Sequence, residues 1–243
     1  MYLDRGEIRV CDAGYVGMDI GVYTKDISWK EIATMKIDAV IFDVDGTLWD
    51  TTDLVAHAWN RAVKQCGILN PQIITGDILK KEFGKPMDII MNNLFPQASK
   101  KEQEDILKLC SKYEQELLIN TKENLIYPGV METIKELSKT CKVCIVSNCQ
   151  VGYIELFLKK YHLEEYVTDT ECFGNTRFSK GENIKLVLER NEFSNIIYVG
   201  DTMGDYEATC VAKVPFVFAA YGFGEVAKAE KKIDNISEVL EFI

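Results

Sequence analysis

Four short stretches of the chain are almost continuously apolar: residues 37–43 (IDAVIFD), 143–148 (VCIVSN), 196–201 (IIYVGD) and 214–219 (VPFVFA). Runs without polar alternation suit strands covered on both faces, as in a parallel sheet. Helical periodicity fills the intervals. Residues 128–139 (PGVMETIKELSK) place a proline at a helix start, and 152–161 and 182–190 read as amphipathic helices. Strands alternating with helices predict an α/β doubly wound parallel sheet.

Residues 51–127 break the alternation. They hold no convincing strand; 53–66, 76–83, 87–94 and 99–120 read as helices, separated by Gly84-Lys85-Pro86 and Phe95-Pro96. The expected organisation is therefore a core of residues 37–50 and 128–243, an inserted all-helical module of residues 51–127, and an N-terminal extension of residues 1–36. In the extension, residues 7–23 alternate weakly and carry glycines, which hints at a hairpin.

Composition narrows the function. Of the 243 residues, 47% are hydrophobic and 27% charged, which supports a packed core. The net charge of −10 opposes sequence-independent nucleic-acid binding. It leaves anionic ligands open, because a metal or a few local cations can invert the field inside one cleft. No apolar run reaches the ~18 residues needed to cross a bilayer, and the first residues lack a signal-peptide pattern. The expectation is a cytoplasmic protein without a membrane partner, whose cysteines are free thiols. Cys141 and Cys144 form a C-x-x-C, but at the edge of a strand their spacing points them to opposite faces. His57 and His162 lie far from any ligand-type cluster and read as surface or helix positions.

Candidate chemistry gathers where the apolar runs end, which in an open α/β sheet is where ligands bind. The first run ends in Asp43-Val44-Asp45-Gly46-Thr47, two carboxylates followed by a glycine that permits a tight turn and close approach of backbone N–H groups to an anion. The second ends in Ser147-Asn148, which can donate to phosphate oxygens or cap the following helix. Ser179-Lys180 opens a helix; a lysine there has the wrong sign for the macrodipole unless an anion faces it. The fourth segment, Gly200-Asp201-Thr202-Met203-Gly204-Asp205, places two acids four apart at a helix start. Helix capping explains each acid singly but not their convergence on one sheet edge.

In this order the four segments resemble the motifs of the haloacid dehalogenase superfamily, over roughly residues 37–220. The helical insert, and Tyr127-Pro128-Gly129-Val130 as the point of re-entry, look like the subfamily with a helical cap on a Rossmann-like core. DGTLWDTTD and GDTMGD look most like phosphoglycolate-phosphatase-type hydrolases. Asp45 is not kept in the dehalogenases of the superfamily, so its presence favours phosphoryl transfer.

The resemblance implies a Mg²⁺-dependent phosphatase for a small phosphorylated metabolite. Asp43 would be the nucleophile, forming an aspartyl-phosphate, and Asp45 the general acid and base. Mg²⁺ would be held by Asp43, the Asp45 backbone carbonyl and Asp201, with Asp205 ligating directly or through water. Gly46, Thr47, Ser147, Asn148 and Lys180 would bind the phosphoryl group, and Lys85 in the cap would touch the leaving group. Two alternatives stay open: a sugar phosphomutase of the β-phosphoglucomutase type, and a non-catalytic phosphate-binding regulatory module on the same fold.

Overall fold

The computed structural model describes residues 29–32, 35–68 and 72–243. After a short helix α1 (Trp29–Ile32), the first strand β1 (Ala39–Phe42) is wholly buried. Its pairing extends past the strand: Asp38 donates its N–H to Asn195 O at 2.7 Å and accepts from Lys142 N–H at 2.8 Å. The hairpin expected over residues 7–23 lies outside the described residues.

Four helices follow: α2 (Thr52–Gln65), α3 (Gly76–Glu82), α4 (Met87–Leu94) and α5 (Lys100–Asn120). They enclose their own apolar core, built around Trp59, Leu79, Ile90 and Ile106, separate from the clusters on the two faces of the sheet. The segments entering and leaving this bundle run side by side. Asp50 N–H donates to Leu125 O at 2.9 Å and Tyr127 N–H to Leu48 O at 3.0 Å. This pair of tethers lies where the chain enters and leaves the bundle.

The chain then lays down α6 (Val130–Leu137), β2 (Lys142–Ser147), α7 (Tyr153–Tyr161), β3 (Asp169–Cys172), α8 (Phe173–Thr176), α9 (Lys180–Asn191), β4 (Ile196–Gly200), α10 (Met203–Ala212), β5 (Phe216–Ala219), β6 (Lys231–Ile233) and a closing 3₁₀ helix, Ile236–Phe242. All six strands are parallel, in the order β3-β2-β1-β4-β5-β6. β1 lies between β2 and β4, so the order reverses at β1, the place where such sheets open a crevice at their carboxyl ends.

Several boundaries differ from the sequence pattern for identifiable reasons. Gly129, at φ +85°, caps α6, so Pro128 stands outside the helix it was expected to start. β5 begins at Phe216 because Pro215 has no N–H to give a ladder. α9 begins at Lys180, two residues before the amphipathic stretch 182–190, because Ser179 and Glu182 close a capping box. Two strands escaped the pattern altogether. β3 is the polar sequence DTEC, whose Asp169 and Glu171 take the guanidinium of Arg190 at 2.6 and 2.8 Å, and β6 is a three-residue edge.

Cys141 and Cys144 pack into the clusters on opposite faces of the sheet. Burial raises both thiols, that of Cys144 to about 12, which suits core packing rather than redox or metal chemistry. His57 and His162 are exposed.

Candidate active site

Three adjacent strands deliver the site. Asp43 follows β1 and is tied to β4 by its N–H on Val199 O at 2.9 Å. Ser147 ends β2, and Asp201 follows β4. Lys180, the first residue of α9, reaches in from the side. Asp43, Lys180, Asp201 and Asp205 are all at most 4% exposed. Asp43, Asp201 and Asp205 can bring carboxylate oxygens within 4.8 Å of one another.

Lys180 explains how these acids coexist. Its Nζ lies 2.9 Å from Asp43 Oδ1 and 2.6 Å from Asp205 Oδ1. Burial works against its charge, yet the two carboxylates outweigh burial and raise its pKa. The anion that a lysine needs at a helix start is therefore Asp43 together with Asp205. One ammonium does not neutralise the whole group. Burial, partly countered by Lys180, lifts Asp43 to about 6. Asp201 is held well above its ordinary value by burial and by the charges of Asp205 and Asp43. Asp205 is also buried, but Lys180 and the Thr202 donors hold it below the usual carboxylate range.

Asp205 has little coordination capacity left. Its Oδ2 accepts from Thr202 N–H at 3.0 Å and Thr202 Oγ1 at 2.6 Å, closing the α10 capping box. Its Oδ1 meets Lys180 and the Tyr198 hydroxyl, the latter at 3.1 Å. α10 begins at Met203, so Asp201 and Asp205 do not share a helix face as their spacing suggested; Asp205 anchors Lys180 from the helix start while Asp201 stands on the preceding loop. Asp43 is the opposite case. Its Oδ1 has the Lys180 ammonium and its Oδ2 is buried without a side-chain partner. A buried carboxylate with one unpartnered oxygen, in a group of three acids that share one ammonium, is the donor set that a hard divalent ion such as Mg²⁺ fits.

The remaining expected residues divide. Asp45 is half-buried, and its Oδ1 accepts from the Tyr153 hydroxyl at 2.7 Å. Burial raises it to about 8, against the lowering effect of Tyr153. Ser147 makes no side-chain hydrogen bond among the described residues and lines the cavity between sheet and helical bundle. Gly46 and Thr47, expected as phosphate contacts, have their donors engaged elsewhere. Gly46 N–H goes to Trp49 O at 2.9 Å, Thr47 N–H to Val44 O at 3.3 Å, and the Thr47 hydroxyl to Asp201 Oδ1 at 3.4 Å. Gly46 serves sterically: at φ +81°, a Cβ there would sit 2.0 Å from Asp201 Oδ2. Asn148 spends its amide N–H on Gly84 O at 2.8 Å, joining the sheet edge to the bundle loop. Lys85 lines the cavity, with its ammonium 3.1 Å from Glu82 Oε2. Sequence reasoning missed Tyr153, and also Phe223, whose N–H donates to Asp201 Oδ2 at 2.7 Å.

A family model, haloacid dehalogenase-like hydrolase, matches residues 40–219, and the chain belongs to that family. Its sequence relatives include phosphoglycolate phosphatases. That of Agrobacterium fabrum is 26% identical over 205 residues, spanning 81% of this chain and 86% of the relative; that of Vibrio parahaemolyticus is 24% identical, spanning 85% and 96%. Two solved structures share the fold. A haloacid dehalogenase-like family hydrolase of Streptococcus pneumoniae superposes with a TM-score of 0.71 at 19% identity, covering 85% of this chain and 98% of that one. A protein of Haemophilus somnus, titled a predicted phosphoglycolate phosphatase, gives 0.75 at 18% identity with the same coverages. No described helix is long and apolar enough to cross a membrane.

Proposed function

We propose that the chain hydrolyses a small phosphorylated metabolite through an aspartyl-phosphate on Asp43, with Mg²⁺ as cofactor. The chain is a phosphatase, a hydrolase of phosphoric monoesters, phosphoglycolate phosphatase-like in sequence. The observation that carries the mechanism is the geometry of two acids: Asp43 is buried with its Oδ1 2.9 Å from the Lys180 ammonium and its Oδ2 without a partner, while Asp45 lines the cavity with its Oδ1 held at 2.7 Å by the Tyr153 hydroxyl. Burial raises Asp45 further than Asp43, whose anionic form Lys180 favours. A carboxylate beside a cation and a carboxyl whose pKa is raised suit a nucleophile and an acid.

In the first step an Asp43 oxygen forms a bond to phosphorus while the bond from phosphorus to the leaving oxygen breaks, and Asp45 gives that oxygen its proton. In the second step a water loses a proton to the Asp45 carboxylate and attacks phosphorus, releasing phosphate and the Asp43 carboxylate. Tyr153 fixes the direction of Asp45 throughout. Lys180 and the Ser147 hydroxyl face the phosphoryl oxygens. Asp43, the Asp45 carbonyl and Asp201 would hold Mg²⁺, which when bound would neutralise charge developing on the phosphoryl group. Asp205 positions Lys180 and lies beyond direct coordination or at its margin.

Residues 51–127 act as a cap that closes over the crevice. Within it, Lys85→Ala is expected to raise KM several-fold on the best substrate with a smaller change in kcat; an unchanged KM would remove Lys85 from the substrate site.

The function is tested with purified protein on p-nitrophenyl phosphate, acetyl phosphate and a panel of phosphorylated metabolites. Phosphate release should require Mg²⁺, stop on chelation and return when Mg²⁺ is added. Release that persists unchanged in excess chelator would overturn the metal assignment, and no release from any ester would overturn the phosphatase reading. A phosphoenzyme that returns phosphate to a sugar faster than to water would instead identify a mutase.

A further inference from the structure

Between the sheet edge and the helical bundle lies a small cavity of about 30 Å³, with Asp45 and Ser147 on its core side. Its bundle side has an apolar wall of Phe83, Met87 and Ile90, interrupted by the carboxylate of Glu114. Glu114 is 5% exposed. Its Oε2 accepts the indole N–H of Trp59 at 2.8 Å. No other hydrogen bond reaches its carboxylate among the described residues, and no cation pairs with it. Lys85, in the lining of the same cavity, pairs with Glu82 at 3.1 Å.

Accepting one indole N–H does not require an acid. A glutamine oxygen would do so without the cost of burying an ionisable group, which is several kcal/mol for an uncompensated charge. Burial lifts Glu114 to about 7, against the lowering effect of Trp59. A second acceptor in the same lining is also unsatisfied: Asn148 Oδ1 is buried without a partner, and the Asn148 amide cannot be turned over, because its N–H₂ is committed to Gly84 O. An anion-capable carboxylate that meets a single donor and an unpartnered Asn148 oxygen, both beside the acid that protonates the leaving oxygen, call for a donor on the leaving group.

We propose that Glu114 is a specificity-determining residue: it accepts a hydrogen bond from a hydroxyl on the leaving group, so the enzyme prefers short hydroxyl-bearing phosphomonoesters over those whose leaving group ends in a carboxylate. This rests on the phosphatase reading above and names its substrate class. A hydroxyl there can give its proton to Glu114. A carboxylate there faces an acid. At about 30 Å³ the space beside Asp45 holds about two waters, which favours a short leaving group over a bulky one.

The test compares kcat/KM at pH 8, where Glu114 is largely ionised, for glycerol 3-phosphate, O-phosphoethanolamine, ethyl phosphate and 2-phosphoglycolate, on the wild type and on Glu114→Gln. The wild type should favour glycerol 3-phosphate over 2-phosphoglycolate by about tenfold or more, and O-phosphoethanolamine, whose ammonium can pair with Glu114, should likewise exceed 2-phosphoglycolate. In Glu114→Gln the amide oxygen stays on Trp59 and the N–H₂ turns to the cavity, so the ratio should shift by about tenfold or more toward 2-phosphoglycolate. A variant whose four rates fall together, leaving the ratios unmoved, would show that Glu114 only supports Trp59. A wild type that prefers 2-phosphoglycolate would overturn the proposal without any variant. Turnover of all four esters without preference sinks this inference and leaves the phosphatase reading standing; no Mg²⁺-dependent turnover of any, nor of acetyl phosphate, sinks both.

Discussion

Asp43→Asn is expected to lower kcat by about 10⁴-fold or more while the protein remains folded. The amide keeps the shape of the side chain but has no anionic oxygen to attack phosphorus, and nothing near it can replace that nucleophile. Loss of a nucleophile removes the whole covalent route, leaving only binding and electrostatic assistance to water, as happens when the central residue of other covalent sites is removed. The fold should survive for a specific reason. Asp43 is buried with two poorly satisfied oxygens, so a neutral amide lightens a desolvation burden. Lys180 loses one carboxylate but keeps Asp205 at 2.6 Å. Thermal unfolding should therefore move by only a few degrees in either direction. The decisive measurement is phosphate release in Mg²⁺ on the same preparation whose unfolding is recorded. Wild-type turnover by folded Asp43→Asn would mean that phosphorus is attacked by something other than Asp43.

The residues that could be read in the sequence are those whose role depends on where a strand ends. Asp43, Ser147 and Asp201 each terminate an apolar run, and a parallel sheet brings such ends to one edge whatever the loops do. Lys180 was legible through a mismatch, a cation at the wrong end of a helix. The rest needed coordinates because their signals are not local. Glu114 sits in Tyr113-Glu114-Gln115-Glu116 on a long charged helix, and nothing nearby in sequence separates it from exposed, ion-paired Glu116. Its role appears only when α5 is laid against Trp59 of α2. Tyr153 reads as an ordinary apolar position of α7 until its hydroxyl is found on Asp45. Asp205 shows how a motif and a structural cap coincide: the same carboxylate closes the α10 capping box and holds the lysine. β3 was lost because its edge position permits polar residues, which Arg190 then satisfies.

Replacing Lys180 with methionine tests how the acids tolerate one another, and it should damage both stability and activity. The variant buries Asp43, Asp201 and Asp205 with no ammonium among them. Removing one partner of a buried charge group costs about 3–5 kcal/mol, which for a chain of this length is a fall in Tm on the order of 10 °C. The sign of the pH dependence follows from which form is penalised. Asp43 and Asp201 are already raised in the wild type, and without Lys180 they rise further, while Asp205 loses the partner that kept it low. A carboxylate raised in the folded state contributes its stability below the unfolded pKa, near 4, and loses it as pH climbs through the folded value. The deficit of Lys180→Met should therefore be smallest near pH 5 and largest near pH 8. Mg²⁺ should restore part of the lost stability at pH 8, since it neutralises the same carboxylates, but kcat should stay about 10²-fold or more below wild type, because no side chain then faces the phosphoryl oxygens in place of the ammonium. In the double variant Asp43→Asn/Lys180→Met the stability loss should be clearly smaller than the sum of the two singles, as coupled neighbours require. A Lys180→Met protein with wild-type Tm at pH 8, or with strictly additive losses, would show that the ammonium does not hold these acids together.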